Sequence, residues 1–134
     1  MPDPIPPAPP FSARARWRSI GFAFRGIRTM LVTQHNARIH LVATLVACFL
    51  AFALGISRFE WCAVVVAIVA VWTAEALNTA LEMLCAVASP EFHPLVERAK
   101  DIAAGAVLIS ALGSVALAIL IFGPRIVEAV RGRL

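Results

Sequence analysis

The chain contains no tyrosine, a single lysine and few charged side chains for its length. Only 15% of its 134 residues are Asp, Glu, Lys or Arg, whereas 60% are hydrophobic. This composition argues against an ordinary water-soluble domain. It predicts a protein whose natural solvent is the lipid bilayer.

Sequence motifs of soluble enzymes are also absent. The chain has no GxxxxGK[ST] phosphate loop, no GxGxxG motif and no GxSxG nucleophile turn, so a bound nucleotide would have to be held without them. The three cysteines, Cys48, Cys62 and Cys85, lie in apolar segments without metal-type spacing, and we interpret them as small hydrophobic residues.

The positive charge is concentrated in one place. The net charge is +4, and five arginines lie between Arg14 and Arg28, directly ahead of the first apolar run. A cluster placed beside an apolar segment suits anionic lipid headgroups better than nucleic acid. We therefore predict a membrane surface, and no nucleic acid, as the partner of this segment.

The N-terminal region divides into two parts. Residues 1–11 form a proline-rich leader that we expect to be disordered, and it lacks the basic start of a signal peptide. From about 12 to 35, apolar residues recur at helical spacing, with arginines mostly on other faces. This pattern predicts an amphipathic helix lying on the membrane surface.

Three apolar runs follow, at about 39–55, 61–88 and 102–122, each long enough to be a candidate membrane span. The segment ISRFE would join the first two, and a charged loop, SPEFHPLVERAKD, would join the last two. The predicted fold is an all-α membrane protein with a domain at 12–124 and a tail at 125–134. An arginine-rich N-terminus on the cytoplasmic side places the 89–101 loop there too, although the arginines of the tail then lie outside.

One polar stripe interrupts the second span. Glu75, Asn78 and Glu82 stand at positions i, i+3 and i+7, so they share one face of a helix. A carboxylate facing hydrocarbon is costly, so such residues normally face a protein interior or a water-filled site. The stripe could serve contacts between helices or mark the exit of the span from the membrane. It could instead be a functional site in which a carboxylate holds a cation or acts as a general base.

Other polar residues lie close to the membrane boundaries. Lys100 and Asp101 open the third span, and the segment TQHNARIH precedes the first. Its histidines, His35 and His40, are five residues apart and accompany no HExxH motif or cysteine pair, which argues against zinc. We interpret each as a hydrogen-bonded boundary residue.

Four segments together, TQHNARIH, ISRFEW, EALNTALE and SPEFHPLVERAKDIAAGAVL, resemble the small integral-membrane lipid kinases of bacteria, the diacylglycerol kinase and undecaprenol kinase family. The resemblance extends roughly from Arg18 to Phe122. Its most specific elements are E-x-x-N-x-A-x-E and the A-K-D-x-A-A-G-A-V-L segment that follows. The segments ISRFEW and PEFHPL resemble the undecaprenol kinase branch more closely.

The resemblance implies a homotrimer of three-span subunits in the bacterial cytoplasmic (inner) membrane, with the N-terminus in the cytoplasm. Active sites shared between neighbouring subunits would transfer the γ-phosphate of ATP to a lipid hydroxyl, with Mg²⁺, at the cytoplasmic membrane surface. By position, Glu75 would be the general base, Asn78 would position the phosphates or the lipid, and Glu82 would bind Mg²⁺ and contact the nucleotide. The remaining nucleotide-binding positions implied are Arg16, Arg18, Phe22, Arg25, Lys100 and Asp101. Gly105 falls in the segment that lets helices approach closely.

Two positions depart from the family pattern. Gln34 occupies the place of a metal-binding glutamate, and Ala86 replaces an aspartate. A glutamine carbonyl can bind Mg²⁺ but brings no charge, which predicts weaker affinity for the ion. Two hypotheses follow: an active kinase acting on undecaprenol or diacylglycerol, and a pseudokinase that binds nucleotide or lipid. A channel or transporter is less favoured, since one polar stripe on three spans offers no evident path.

Overall fold

A computed structural model describes residues 12–132, which form four helices in chain order. They are α1 (Ala13–Thr33), α2 (His35–Ala53), α3 (Arg58–Ala88) and α4 (Pro94–Arg131). No strand occurs in this described range, and α2, α3 and α4 are each long and apolar enough to cross a membrane. The predicted all-α class with three apolar helices is confirmed. The leader at 1–11 and residues 133–134 of the tail lie outside the described residues.

Helices α1 and α2 meet at a sharp corner. The hydroxyl of Ser12 accepts a hydrogen bond from the backbone N–H of Ala15 and caps the start of α1. Gln34 alone separates the two helices and has an extended backbone, with φ −102° and ψ 124°. Met30 and Ala37, on either side of the corner, are buried. The corner is therefore packed closely enough to bury a side chain from each helix.

The turn between α2 and α3 is stabilised by a glycine, a helix cap and hydrogen bonds from α4. Gly55 adopts φ 59°, a conformation in which glycine carries no steric penalty. Ser57 and Glu60 form a capping box, each side chain bonding the backbone N–H of the other residue. The guanidinium of Arg125 in α4 bonds the Glu60 carboxylate, at 2.6 Å for the shorter contact, and the carbonyls of Leu54 and Gly55. This end of the bundle is thereby tied across three helices.

Helix α4 is longer than the predicted span at 102–122. Residues 94–101, which we expected in the connecting loop, form its first two turns. Pro94 occupies the start of the helix, where its missing N–H costs nothing, and the His93 ring nitrogen Nδ1 accepts a bond from Leu95 N–H. Residues 125–131, expected as a tail, also continue the helix past Pro124. The bonds made by Arg125 hold this last part against the bundle.

The apolar core is small and lies near the α2–α3 turn. Ala51, Ile56, Val64 and Phe122 form a buried cluster. Most other large apolar side chains on α2, α3 and α4 are exposed, including Phe49 at 70%. Such continuous apolar exposure is untypical of a soluble monomer and suits contact with lipid or with further subunits.

Candidate functional site

The polar stripe of α3 is turned inward, and its first residue, Glu75, faces α2. Glu75 is 1% exposed, and Asn78 and Thr79 are also buried, whereas Glu82 is half-buried. The spacing of Glu75, Asn78 and Glu82 predicts one shared helix face, and in the structure that face lies toward the inside of the protein. Thr79, one turn after Glu75, belongs to the same face.

His40 of α2 is the residue that meets Glu75. Its Nε2 lies 3.9 Å from Oε2 of Glu75, and both side chains are largely shielded from solvent. The distance is too long for a direct hydrogen bond. A buried carboxylate needs a partner of opposite charge or a hydrogen-bond donor to offset its desolvation, and His40 is positioned to supply one.

Four buried polar atoms at this place lack a hydrogen-bond partner. They are His40 Nε2, Glu75 Oε2, Asn78 Oδ1 and Thr79 Oγ1. Buried polar groups are almost always satisfied, so four unpaired atoms on one helix face and its neighbour indicate a place for a polar ligand or ordered water. We call these four residues the polar cluster.

Asn78 has a fixed orientation in the polar cluster. Its Nδ2 donates a hydrogen bond to Oε1 of Glu82 at 3.2 Å, which leaves Oδ1 of the amide unpaired. The Glu82 carboxylate is an oxygen donor of the kind that Mg²⁺ prefers. Among residues 12–132 no three His, Cys, Asp or Glu side chains are grouped as a metal cage. Since Mg²⁺ is usually held by one or two carboxylates together with substrate phosphates, the residues present fit that ion.

Gln34 lies at the α1–α2 corner rather than on α3. It is half-buried, its backbone N–H donates to Met30 O, and its side chain does not cap α2. No hydrogen bond joins it to Glu82 in the part of the chain that the structure describes. Its predicted role as a metal ligand stays a prediction.

The predicted nucleotide-binding residues lie on exposed surfaces. Arg16, Arg18, Phe22 and Arg25 are exposed on α1. The Arg25 guanidinium lies 4.6 Å from the centre of the Phe22 ring, a cation–π contact. Lys100 and Asp101, in the second turn of α4, line an open pocket of about 420 Å³ next to the 89–93 segment. Within residues 12–132 none of these side chains forms an ion pair with the stripe on α3.

An apolar groove between helices reaches the polar cluster. It is a cavity of about 300 Å³ between α2, α3 and α4, lined mainly by alanine, valine, leucine and isoleucine. His40 and Val71 both line it, and Glu75 lies one helical turn beyond Val71. The groove therefore ends where the polar cluster begins.

Two residues of the polar cluster were not identified from the sequence as site residues. Thr79 could have been found, because it stands at i+4 from Glu75 on the same helix face. His40 was interpreted as a boundary residue, since spacing within one helix says nothing about which side chain of another helix it meets.

Comparison with known proteins gives a consistent result. The sequence profile described as prokaryotic diacylglycerol kinase matches residues 21–122. The undecaprenol kinase of Bacillus subtilis is 34% identical over 110 residues, which cover 82% of this chain and 89% of that protein. The diacylglycerol kinase of Synechocystis sp. is 35% identical over 105 residues, covering 72% and 56%. The diacylglycerol kinase of Escherichia coli (strain K12) is 29% identical over 98 residues, covering 73% and 80%.

Proposed function

Because the chain belongs to the prokaryotic diacylglycerol kinase family, we propose that it phosphorylates the hydroxyl group of a membrane lipid, with ATP as phosphate donor and Mg²⁺ as cofactor. Undecaprenol is the preferred acceptor and diacylglycerol the second. The large share of both chains that aligns with the Bacillus undecaprenol kinase, together with the segments ISRFEW and PEFHPL, supports this order.

The observation that carries the proposal is the buried Glu75 carboxylate, whose Oε2 has no hydrogen-bond partner. In the proposed reaction the lipid oxygen attacks the γ-phosphorus, its proton passes to Oε2 of Glu75, and ADP leaves as the bond to the β-phosphate oxygen breaks. Phosphoryl transfer asks a protein mainly to position the two reactants and to offset charge on the transferring group. A general base within hydrogen-bond reach of the hydroxyl supplies the proton step.

Glu82 and Gln34 would hold Mg²⁺, which offsets the negative charge of the ATP phosphates when it is bound, and Asn78 would position the phosphates or the lipid. The hydrogen bond from Asn78 to Glu82 supports placing Asn78 at this site, because it holds the two side chains next to each other. With only one carboxylate between these two ligands, we expect weaker affinity for the ion than a two-carboxylate site would have.

The remaining contacts to ATP are assigned to α1 and to the start of α4. Arg16, Arg18, Phe22 and Arg25 would close over the nucleotide, and Lys100 and Asp101 would contact it from α4. These residues are exposed in the single chain, and so are the apolar faces of α2, α3 and α4. Both facts support a homotrimer in which neighbouring subunits complete each active site.

The depth of the site supports an acceptor that stays in the membrane. Glu60 and Glu82 are separated by 22 residues of α3, or about 33 Å, close to the roughly 30 Å thickness of the hydrocarbon layer. Glu75 then lies about 10 Å inside the surface marked by Glu82. We place that surface on the cytoplasmic side of the bacterial inner membrane, with α1 lying along it.

A second candidate function is a pseudokinase that binds nucleotide or lipid without transfer. The neutral Gln34 in place of a metal-binding glutamate is the observation that favours it. A measurement of activity at high Mg²⁺ concentration therefore decides between the kinase and the pseudokinase.

The experiment is a transfer assay with full-length protein in mild detergent, using γ-labelled ATP, a range of Mg²⁺ concentrations and a panel of lipid alcohols. We expect turnover by the wild type, and a rate about 10²- to 10⁴-fold lower for Glu75→Gln, the usual contribution of a general base. Glu82→Gln should raise the Mg²⁺ concentration needed for half-maximal rate, and Gln34→Glu should lower it. If the wild type labels no lipid at any Mg²⁺ concentration while Gln34→Glu does, the chain is a pseudokinase.

A further inference from the structure

His40 Nε2 and Glu75 Oε2 lie close enough together for one hydroxyl group to bond both. An oxygen atom about 2.8 Å from each of two partners, an ordinary hydrogen-bond length, bridges the 3.9 Å between His40 Nε2 and Glu75 Oε2 with an angle of about 90°. Two hydrogen bonds at one oxygen tolerate that angle. The two atoms are too far apart for a direct hydrogen bond and close enough together for one oxygen, lying beside the line that joins them, to bond both.

The two atoms can form both hydrogen bonds that an alcohol group makes, one accepted from its hydrogen and one donated to its oxygen. An ionised carboxylate only accepts hydrogen bonds, and a histidine nitrogen facing a carboxylate favours the tautomer that carries the proton. A lipid hydroxyl would donate its hydrogen to Glu75 and accept one from His40. Both protein atoms are buried and without other partners, so neither bond would compete with an existing one.

The apolar groove gives the acceptor a route to this gap. His40 lines the end of the groove between α2, α3 and α4, and its Nε2 faces Glu75. A hydrocarbon chain lying in the groove would carry a terminal hydroxyl to the polar cluster without exposing it to lipid. The His40 side chain thus borders both the groove for the hydrocarbon chain and the position of the lipid hydroxyl.

We propose that His40 holds the acceptor hydroxyl against Glu75, with the first part of the lipid chain lying in the apolar groove. This inference rests on the proposed kinase function. In the transfer step the hydroxyl proton goes to Glu75 Oε2, the oxygen bonds to the γ-phosphorus and ADP departs, while His40 keeps its own proton. One lone pair of the oxygen is held by His40 and the other is left for attack.

The test compares side chains that differ in reach. Gln at position 40 can place an N–H near the position of His Nε2, whereas the shorter Asn carries the same amide group but falls short of it. His40→Gln, His40→Asn and His40→Leu are assayed as full-length protein in mild detergent, with lipid alcohol and ATP titrated separately. His35→Leu is the control, because His35 lies on the same helix but is exposed.

We expect His40→Asn and His40→Leu to lower kcat/KM for the lipid about 10- to 100-fold, the effect of losing one hydrogen bond from a buried group. His40→Gln should retain most of the activity, the KM for ATP should stay within about twofold in all three, and His35→Leu should match the wild type. Because His40→Asn and His40→Gln are both polar amides, the comparison between them stands even if His40→Leu does not fold.

Two results would overturn the assignment of His40. One is equal lipid kcat/KM for His40→Asn and His40→Gln, whether both are active or both impaired. The other is a loss of ATP affinity equal to the loss for lipid, which would indicate a general disturbance of the site. If the wild type phosphorylates no lipid alcohol, the proposed function fails and this inference falls with it, an outcome distinct from either of the two.

Discussion

Arg38 is expected to control ATP affinity although it lies on α2, away from the predicted nucleotide-binding residues. Its guanidinium donates from Nε to Leu31 O at 3.0 Å and from Nη2 to Val32 O, two carbonyls in the last turn of α1. Helix α1 has no basic residue of its own in that turn. Arg38 therefore supplies the positive charge that favours a helix C-terminus, and holds the two helices at a fixed angle.

The expected change in ATP affinity depends on the length of α1 beyond the corner and on the energy of the two hydrogen bonds. Met30 and Arg16 are separated by 14 residues of α1, or about 21 Å, so a 10° change at the corner moves Arg16 by about 4 Å. Arg38 is exposed, so each bond is worth about 0.5–1 kcal/mol rather than the larger value of a buried one. Loss of both, about 1–2 kcal/mol, corresponds to a roughly 5- to 30-fold change in affinity.

The assay is an ATP titration at saturating lipid. Arg38→Ala should raise the KM for ATP by that factor, while kcat changes much less because Glu75 is positioned by α3. Arg38→Lys, which keeps the charge but loses the fork of donors, should fall between Arg38→Ala and the wild type. Arg58→Ala, which removes an exposed arginine at the far end of α3, is the matched control. An unchanged KM for ATP in folded Arg38→Ala would refute the argument that the corner positions α1.

Two further outcomes are expected. Arg125→Gln should lower the midpoint of thermal unfolding in detergent, because three helices lose their shared bonds. Its activity per folded molecule should stay within about twofold of wild type, since Glu60 lies about 22 Å along α3 from Glu75. A large loss of activity would show that the two ends of α3 are not independent. Ala111→Leu should raise the KM for the lipid several-fold by narrowing the apolar groove, whereas Ala116→Leu, on an exposed face of α4, should not; equal effects would argue against the groove as the route of the lipid chain.

Periodicity along a single helix was the most informative signal in the sequence. It correctly predicted that Glu75 and Asn78 share a face and that this face lies inside the protein, because the cost of an unpaired carboxylate in hydrocarbon is a strong constraint. It could not predict the partner on α2. The match between His40 and Glu75 depends on how two helices pack, which the spacing of residues within either helix does not encode.

The ends of helices were predicted less accurately in segments that are polar and yet helical. Residues 94–101 are charged and contain few apolar positions, so hydropathy assigned them to a loop. Their helical start is determined by Pro94 and the His93 cap, which are signals of backbone geometry rather than of hydropathy. Arg125 stabilises the other end through contacts with residues about 65 to 71 positions earlier in the chain, which local patterns do not reveal.

The unpaired atoms of the polar cluster also carry an evolutionary cost. A sequence selected for thermal stability alone would place apolar side chains at Thr79 and Asn78, since a buried polar atom without a partner weakens the folded state. The chain instead leaves this deficit in place, in the way that active sites commonly trade stability for function. If the proposed acceptor lipid bonds these atoms, its binding should stabilise the folded protein, and the midpoint of thermal unfolding should rise with lipid concentration.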